Sequence, residues 1–83
     1  MVVTIRLFAR LREIAGASEL CRELPEGATA ATAWAALAAE FPAMAGYRTA
    51  VSCAVNEEYA RLGAALKDED EVAFLPPVSG GCS

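Results

Sequence analysis

The sequence predicts an α+β domain in which one main helix covers one face of a single sheet. Three observations predict it. The amino-terminal segment alternates, with Val3, Ile5 and Leu7 on one face and Thr4 and Arg6 on the other, which is the period of a half-buried strand. Between residues 30 and 41, Trp34, Leu37, Ala38 and Phe41 recur at helical spacing and form an apolar stripe. A closing run, Glu71 to Leu75, alternates again, with Val72 and Phe74 inward and Leu75 outward, and ends at Pro76-Pro77. Two prolines cannot donate to a sheet ladder.

The remaining elements follow in order. After the first strand, Phe8, Leu11 and Ile14–Ala15 fall on one side of a short helical turn that Gly16 stops. Ser18 to Leu24 reads as a second strand that returns against the first as a hairpin, with Leu20 and Leu24 pointing one way. Pro25-Glu26-Gly27 is a turn. Thr29 is placed to cap the main helix, because its hydroxyl can accept a backbone N–H of the first turn. Pro42 closes that helix, and residues 43–49 form a loop in which Met44 and Tyr47 cover the core edge. Ala50 to Asn56 is a strand with Val51, Cys53 and Val55 inward, followed by a polar turn and a return at Asn56-Glu57-Glu58-Tyr59. Leu66 is expected to plug the core beside a charged turn at residues 67–70. The expected organisation is a domain over residues 1–75 and a flexible tail over 76–83.

Composition narrows the function. Eighty-three residues make one small domain that buries a modest core. A net charge of −4 argues against nucleic-acid binding, which wants a basic patch. With no histidine, Ser–His and Cys–His nucleophile pairs and zinc-type spacing are excluded. There is no Gly-rich phosphate loop between a strand and a helix. Asp68, Glu69, Asp70 and Glu71 read as a solvated turn, since they lack the spacing of a calcium loop. Cys21 and Cys53 read as small buried hydrophobes. The sequence starts with a strand pattern, without a signal peptide or an apolar stretch of membrane length, so no membrane partner and a cytoplasmic, reducing location are expected. No metal or bound cofactor is expected, nor self-sufficient catalysis.

The tail is the most informative stretch. A strand anchors it, Pro76-Pro77 stiffens its exit, and Val78-Ser79-Gly80-Gly81 then makes it thin. Leu75, an outward apolar residue beside Pro76, reads as partner interface, with Pro77 continuing it and Arg10 and Arg12 as polar rim contacts.

The run from Val55 to Ala60, the run from Leu66 to Gly81 and the start Leu7-Phe8-Ala9-Arg10-Leu11-Arg12-Glu13 with Gly16 resemble the small subunit of molybdopterin synthase, a ubiquitin-like sulfur carrier. The resemblance covers nearly the whole chain and implies a β-grasp fold with the first and last strands side by side. It also implies a mechanism. An E1-like partner consumes ATP to adenylate the Gly81 carboxyl, and sulfur from a persulfide donor replaces AMP to leave a thiocarboxylate. The tail then enters a large subunit, in a two-plus-two complex, and donates sulfur to cyclic pyranopterin monophosphate. The acid–base groups belong to the large subunit, and Gly80 and Gly81 leave room for the channel.

The sequence departs from that pattern at its end. Cys82-Ser83 follows Gly81, so Gly81 has no free carboxylate as written. The expectation is a precursor trimmed between Gly81 and Cys82, as metallopeptidases do in related carriers. A role for Cys82 in an acyl shift is a lesser alternative. A carrier for thiamine or cysteine synthesis, a ubiquitin-like modifier joined through Gly81, and a plain binding module with an inert tail stay open as other readings.

Overall fold

A computed structural model describes residues 1–47 and 50–76. Its elements are β1 (Val2–Leu7), α1 (Ala9–Ala15), β2 (Glu19–Glu23), α2 (Ala30–Glu40), a 3-10 helix (Pro42–Tyr47), β3 (Ser52–Val55), β4 (Glu58–Ala60) and β5 (Glu71–Leu75). The five strands form one sheet in the order β2-β1-β5-β3-β4. β1 and β5 lie side by side and parallel, with Ile5 opposite Val72 and Leu7 opposite Phe74. The other pairings are antiparallel. This is the α+β β-grasp arrangement. A parallel pair requires a crossover, and the chain between its two strands supplies one that carries α2 over the sheet.

The core lies between α2 and the inner sheet face. Val3, Ile5, Leu7, Cys53, Val72 and Phe74 point inward from the strands and are buried, together with Trp34, Leu37, Met44 and Leu66. Thr29 caps α2 reciprocally: its Oγ1 accepts from the Thr32 N–H at 3.4 Å, and the Thr32 Oγ1 accepts from the Thr29 N–H at 3.1 Å. Threonine here does at the third helical position what Glu or Gln does in the usual capping box.

Several expectations are corrected. The buried face of α2 is Ala30, Ala33, Trp34 and Leu37, one turn earlier than the stripe read from the large residues. Alanine can lie closest to the sheet because it is small, whereas Ala38 and Phe41 are only partly buried. Pro42 ends the α-helix but opens a 3-10 helix, consistent with proline's tolerance at a first helical position, and Met44 within it is fully buried rather than at the core edge. Phe8 does not share the inner face of α1. It is the N-cap in extended backbone, the following Ala9 has φ 53°, and the residue is 38% exposed. Cys21 is exposed, because it faces away from the helix on β2 opposite Thr4.

The acidic turn is a suture as well as a solvated surface. Asp68 Oδ1 accepts from the Val2 N–H at 2.7 Å. Asp70 Oδ2 accepts from the Lys67 N–H at 2.8 Å and Oδ1 from Asn56 Nδ2 at 3.1 Å. These contacts hold the start of β1 and the β3–β4 hairpin to the approach of β5. Among the described residues no helix is long and apolar enough to cross a membrane.

Candidate docking face and carrier terminus

Strand alternation sends Val72 and Phe74 into the core and Glu71, Ala73 and Leu75 to the opposite face. The register then places neighbours around them. Arg6 lies beside Ala73 on one side, and Ala54 lies beside it on the other. One strand further, Tyr59 is opposite Ala54. Two adjacent alanines leave a trough between larger side chains. The result is a groove of about 270 Å³. Ala54 and Ala73 form its floor, Phe8, Tyr59 and Leu75 its apolar walls, and Arg6, Glu57 and Glu71 its charged rim.

The walls differ in how they are held. Tyr59 is 82% exposed. Phe8 is turned outward at the β1–α1 junction, and the Arg6 guanidinium lies 5.8 Å from its ring centroid, within cation–π range. Arg6 Nη1 also meets Glu71 Oε2 at 3.3 Å. The sequence Glu71–Arg6–Phe8 is thus a chain of contacts across β5 and β1 that steadies an exposed aromatic ring. Leu75 is half-buried at the end of β5, directly before Pro76.

Leu75 lines the groove as the outward residue of β5, as its alternation predicts. Arg10 and Arg12 are exposed on α1 and outside the groove lining. Arg10 meets Glu13 at 3.1 Å, and hydrogen bonds to Glu13 first and Tyr47 second raise its pKa further. Pro76 is half-buried. Pro77, Val78, Ser79, Gly80, Gly81 and Cys82, which carry the expected chemistry, lie outside the described residues.

Phe8 and Tyr59 are groove residues that the sequence reading did not pick out. Continuing the alternation of Val3, Ile5 and Leu7 by one residue sends Phe8 outward. For Tyr59, a two-residue turn at Asn56-Glu57 pairs residue 54 with 59, which puts the tyrosine over the outer face.

The ThiS family matches this chain over residues 5–81. The molybdopterin synthase sulfur carrier subunit of Chlamydomonas reinhardtii is 41% identical over 83 aligned residues, covering 98% of this chain and all of that protein. The subunit of the same name from Arabidopsis thaliana is 38% identical over 95% of this chain and 82% of its own length. Among solved structures, SAMP1 of Haloferax volcanii, a small archaeal modifier protein, superposes with a TM-score of 0.82 at 32% identity, covering 98% of this chain and 100% of that one. A β1–β5 parallel pair under one crossing helix and similarity that runs from residue 5 through Gly80 to Gly81 agree: this chain belongs to the ThiS family.

Proposed function

We propose that this chain is the sulfur-carrying small subunit of a molybdopterin synthase, in a cytoplasmic setting. The observation that carries the reading is the near-full-length similarity to molybdopterin synthase sulfur carrier subunits, and the family match runs on through Gly80 to Gly81. A protein that worked only through its folded face would have no need for similarity along a tail of small residues.

The chemistry follows from the terminus. A carboxylate is a poor electrophile, so the Gly81 carboxyl attacks the α-phosphate of ATP on an E1-like partner and releases pyrophosphate. The outer sulfur of a persulfide donor then displaces AMP to give an acyl disulfide, and a thiol reductant cleaves its S–S bond to leave the thiocarboxylate and the donor thiol in a disulfide. ATP is bound by that partner, and this chain holds no cofactor of its own. The thiocarboxylate enters a large subunit, where it attacks cyclic pyranopterin monophosphate and the large subunit supplies the proton transfers. The groove walled by Phe8, Tyr59 and Leu75 docks the domain, and the residues after Pro76 deliver Gly81 to the partner. Two carriers and two large subunits make the complete complex. Because Cys82-Ser83 blocks the Gly81 carboxyl, a peptidase of the metallopeptidase class removes the dipeptide first.

The test is intact-mass spectrometry of the protein recovered from its own cell, followed by reconstitution. The expected species ends at Gly81 and carries sulfur in place of one carboxyl oxygen, and it yields molybdopterin with the large subunit and the cyclic precursor. Finding only full-length chain in cells that make the cofactor overturns the reading.

A second reading has a specific observation behind it, the similarity to SAMP1 at 32% identity. As a protein modifier, the same Gly81 would be joined to lysines. Higher-mass conjugates that vanish on deleting Gly81 would favour that reading. Their absence, with molybdopterin formed, favours the first.

A further inference from the structure

The β3–β4 hairpin turns through Asn56 and Glu57, both left-handed, with φ 52° and 72°. That is the pattern of a type I′ turn, whose second position strongly favours glycine. Asn56 is well suited to its place. Its Oδ1 accepts from the Glu71 N–H at 3.1 Å and its Nδ2 donates to Asp70, and asparagine tolerates this backbone region. Glu57 has neither advantage. Glutamate is disfavoured at that φ, and among the described residues its carboxylate enters no ion pair. Strain alone does not single it out, since Ala9 and Glu69 are also left-handed. Its location does, because Glu57 lines the outer groove.

The groove's other carboxylate, Glu71, already has Arg6 as a counter-ion. A partner that covers the apolar walls would therefore desolvate one carboxylate that has no cation in this chain's described residues. Burying such a charge unpaired is strongly unfavourable.

We infer that Glu57 is a specificity element of the docking face, held at the groove rim at the expense of turn stability. Its occupant is the large-subunit surface, which seats an apolar side chain against Phe8, Tyr59 and Leu75 and places an arginine or lysine against Glu57. The inference rests on the docking face proposed above. Charges at an interface rim act on association rate, salt dependence and partner choice.

The test uses the full chain, the large subunit of the synthase from the same cell, and the variants Glu57→Gly, Glu57→Gln and Leu75→Asp. Glu57→Gly is expected to raise the urea midpoint, because glycine suits the left-handed position, and to weaken large-subunit binding by about two- to fivefold. Glu57→Gln should weaken binding similarly without the stability gain. Both should flatten the loss of wild-type affinity between low and high salt. If Leu75→Asp abolishes binding while Glu57→Gln binds like wild type with the same salt slope, the role of Glu57 is overturned and the docking face stands. If Leu75→Asp binds like wild type, both fall.

Discussion

Trp34 of α2 meets Phe74 of β5 edge-on, with ring centroids 5.0 Å apart and planes inclined by 61°. This is a favoured aromatic geometry, and both rings are fully buried. The contact ties the single long helix to the strand that leads into the tail. A domain of this length holds roughly 4–12 kcal/mol of stability in all. Phe74→Ala leaves a large cavity under Trp34 and should cost about 3–5 kcal/mol. Set against that total, the expected result is a urea midpoint lowered by a large fraction of the wild-type value. Phe74→Leu keeps more of the volume and should stay folded with a lowered midpoint.

Acid should loosen the same region through Asp70. Its carboxylate accepts from Asn56 and from the Lys67 backbone, and those bonds hold its pKa below the usual 3.8. A carboxylate whose folded pKa is depressed adds stability that is present above the unfolded value and is lost as pH falls through the folded one. Asp70 therefore contributes fully at neutral pH, and its contribution fades below about pH 3.8. The measurement is the urea midpoint at pH 7 and at pH 3 for wild type and Asp70→Asn. The wild-type advantage at pH 7 should shrink at pH 3. An unchanged difference would show that the Asp70 carboxylate does not stitch Asn56 to the turn at Lys67.

How much could be read beforehand depended on whether a residue's position was set by local periodicity or by contacts across the sheet. Val3, Ile5 and Leu7 are buried as their alternation requires, and Thr29 caps α2 as its hydroxyl suggests. The buried face of α2 was harder. Large residues suggest Phe41, but the helix presents Ala30 and Ala33 instead, since close approach to the sheet rewards small side chains. Cys21 departs from its expected burial for a related reason: free cysteines are usually buried, but the hairpin register opposite Thr4 puts this one on the outer face. The groove is legible at Leu75 and, through the alternation of Val3, Ile5 and Leu7, at Phe8, which the helical spacing of Leu11 and Ile14 assigns instead to the inner face. Tyr59 joins it through the pairing of β3 with β4, and a left-handed Ala9 sets Phe8 apart from the helix that follows.

The groove should separate folding from recognition. Phe8 and Leu75 lie on the outer face, away from the Trp34–Phe74 contact. Surface substitutions away from the core usually change stability by about 0.5 kcal/mol or less, so Phe8→Ala and Leu75→Asp should keep most of the wild-type urea midpoint. Apolar anchors at the centre of an interface carry much of its energy. Each variant should therefore bind the large subunit at least about tenfold more weakly. Titration calorimetry beside urea unfolding checks both halves. A Leu75→Asp chain that unfolds early would instead assign that residue to the fold.

The terminus gives the sharpest prediction, because it turns on one bond. In the full chain the Gly81 carbonyl is an amide to Cys82, and an amide oxygen does not attack the α-phosphate of ATP as a carboxylate does. Full-length protein should therefore support no ATP–pyrophosphate exchange with the activating partner, and the same chain ending at Gly81 should support it. Glycine at the end also keeps the carbonyl open to approach, so Gly81→Ala in the shortened chain should slow exchange and sulfur transfer together. Cys82→Ala tests whether the thiol takes part in removing the dipeptide. Cleavage by a separate peptidase needs only the bond after Gly81, and the variant should mature as wild type does. Failure to mature, with rescue by Cys82→Ser excluded, would place the Cys82 sulfur in the cleavage step and make the terminus a participant in its own processing.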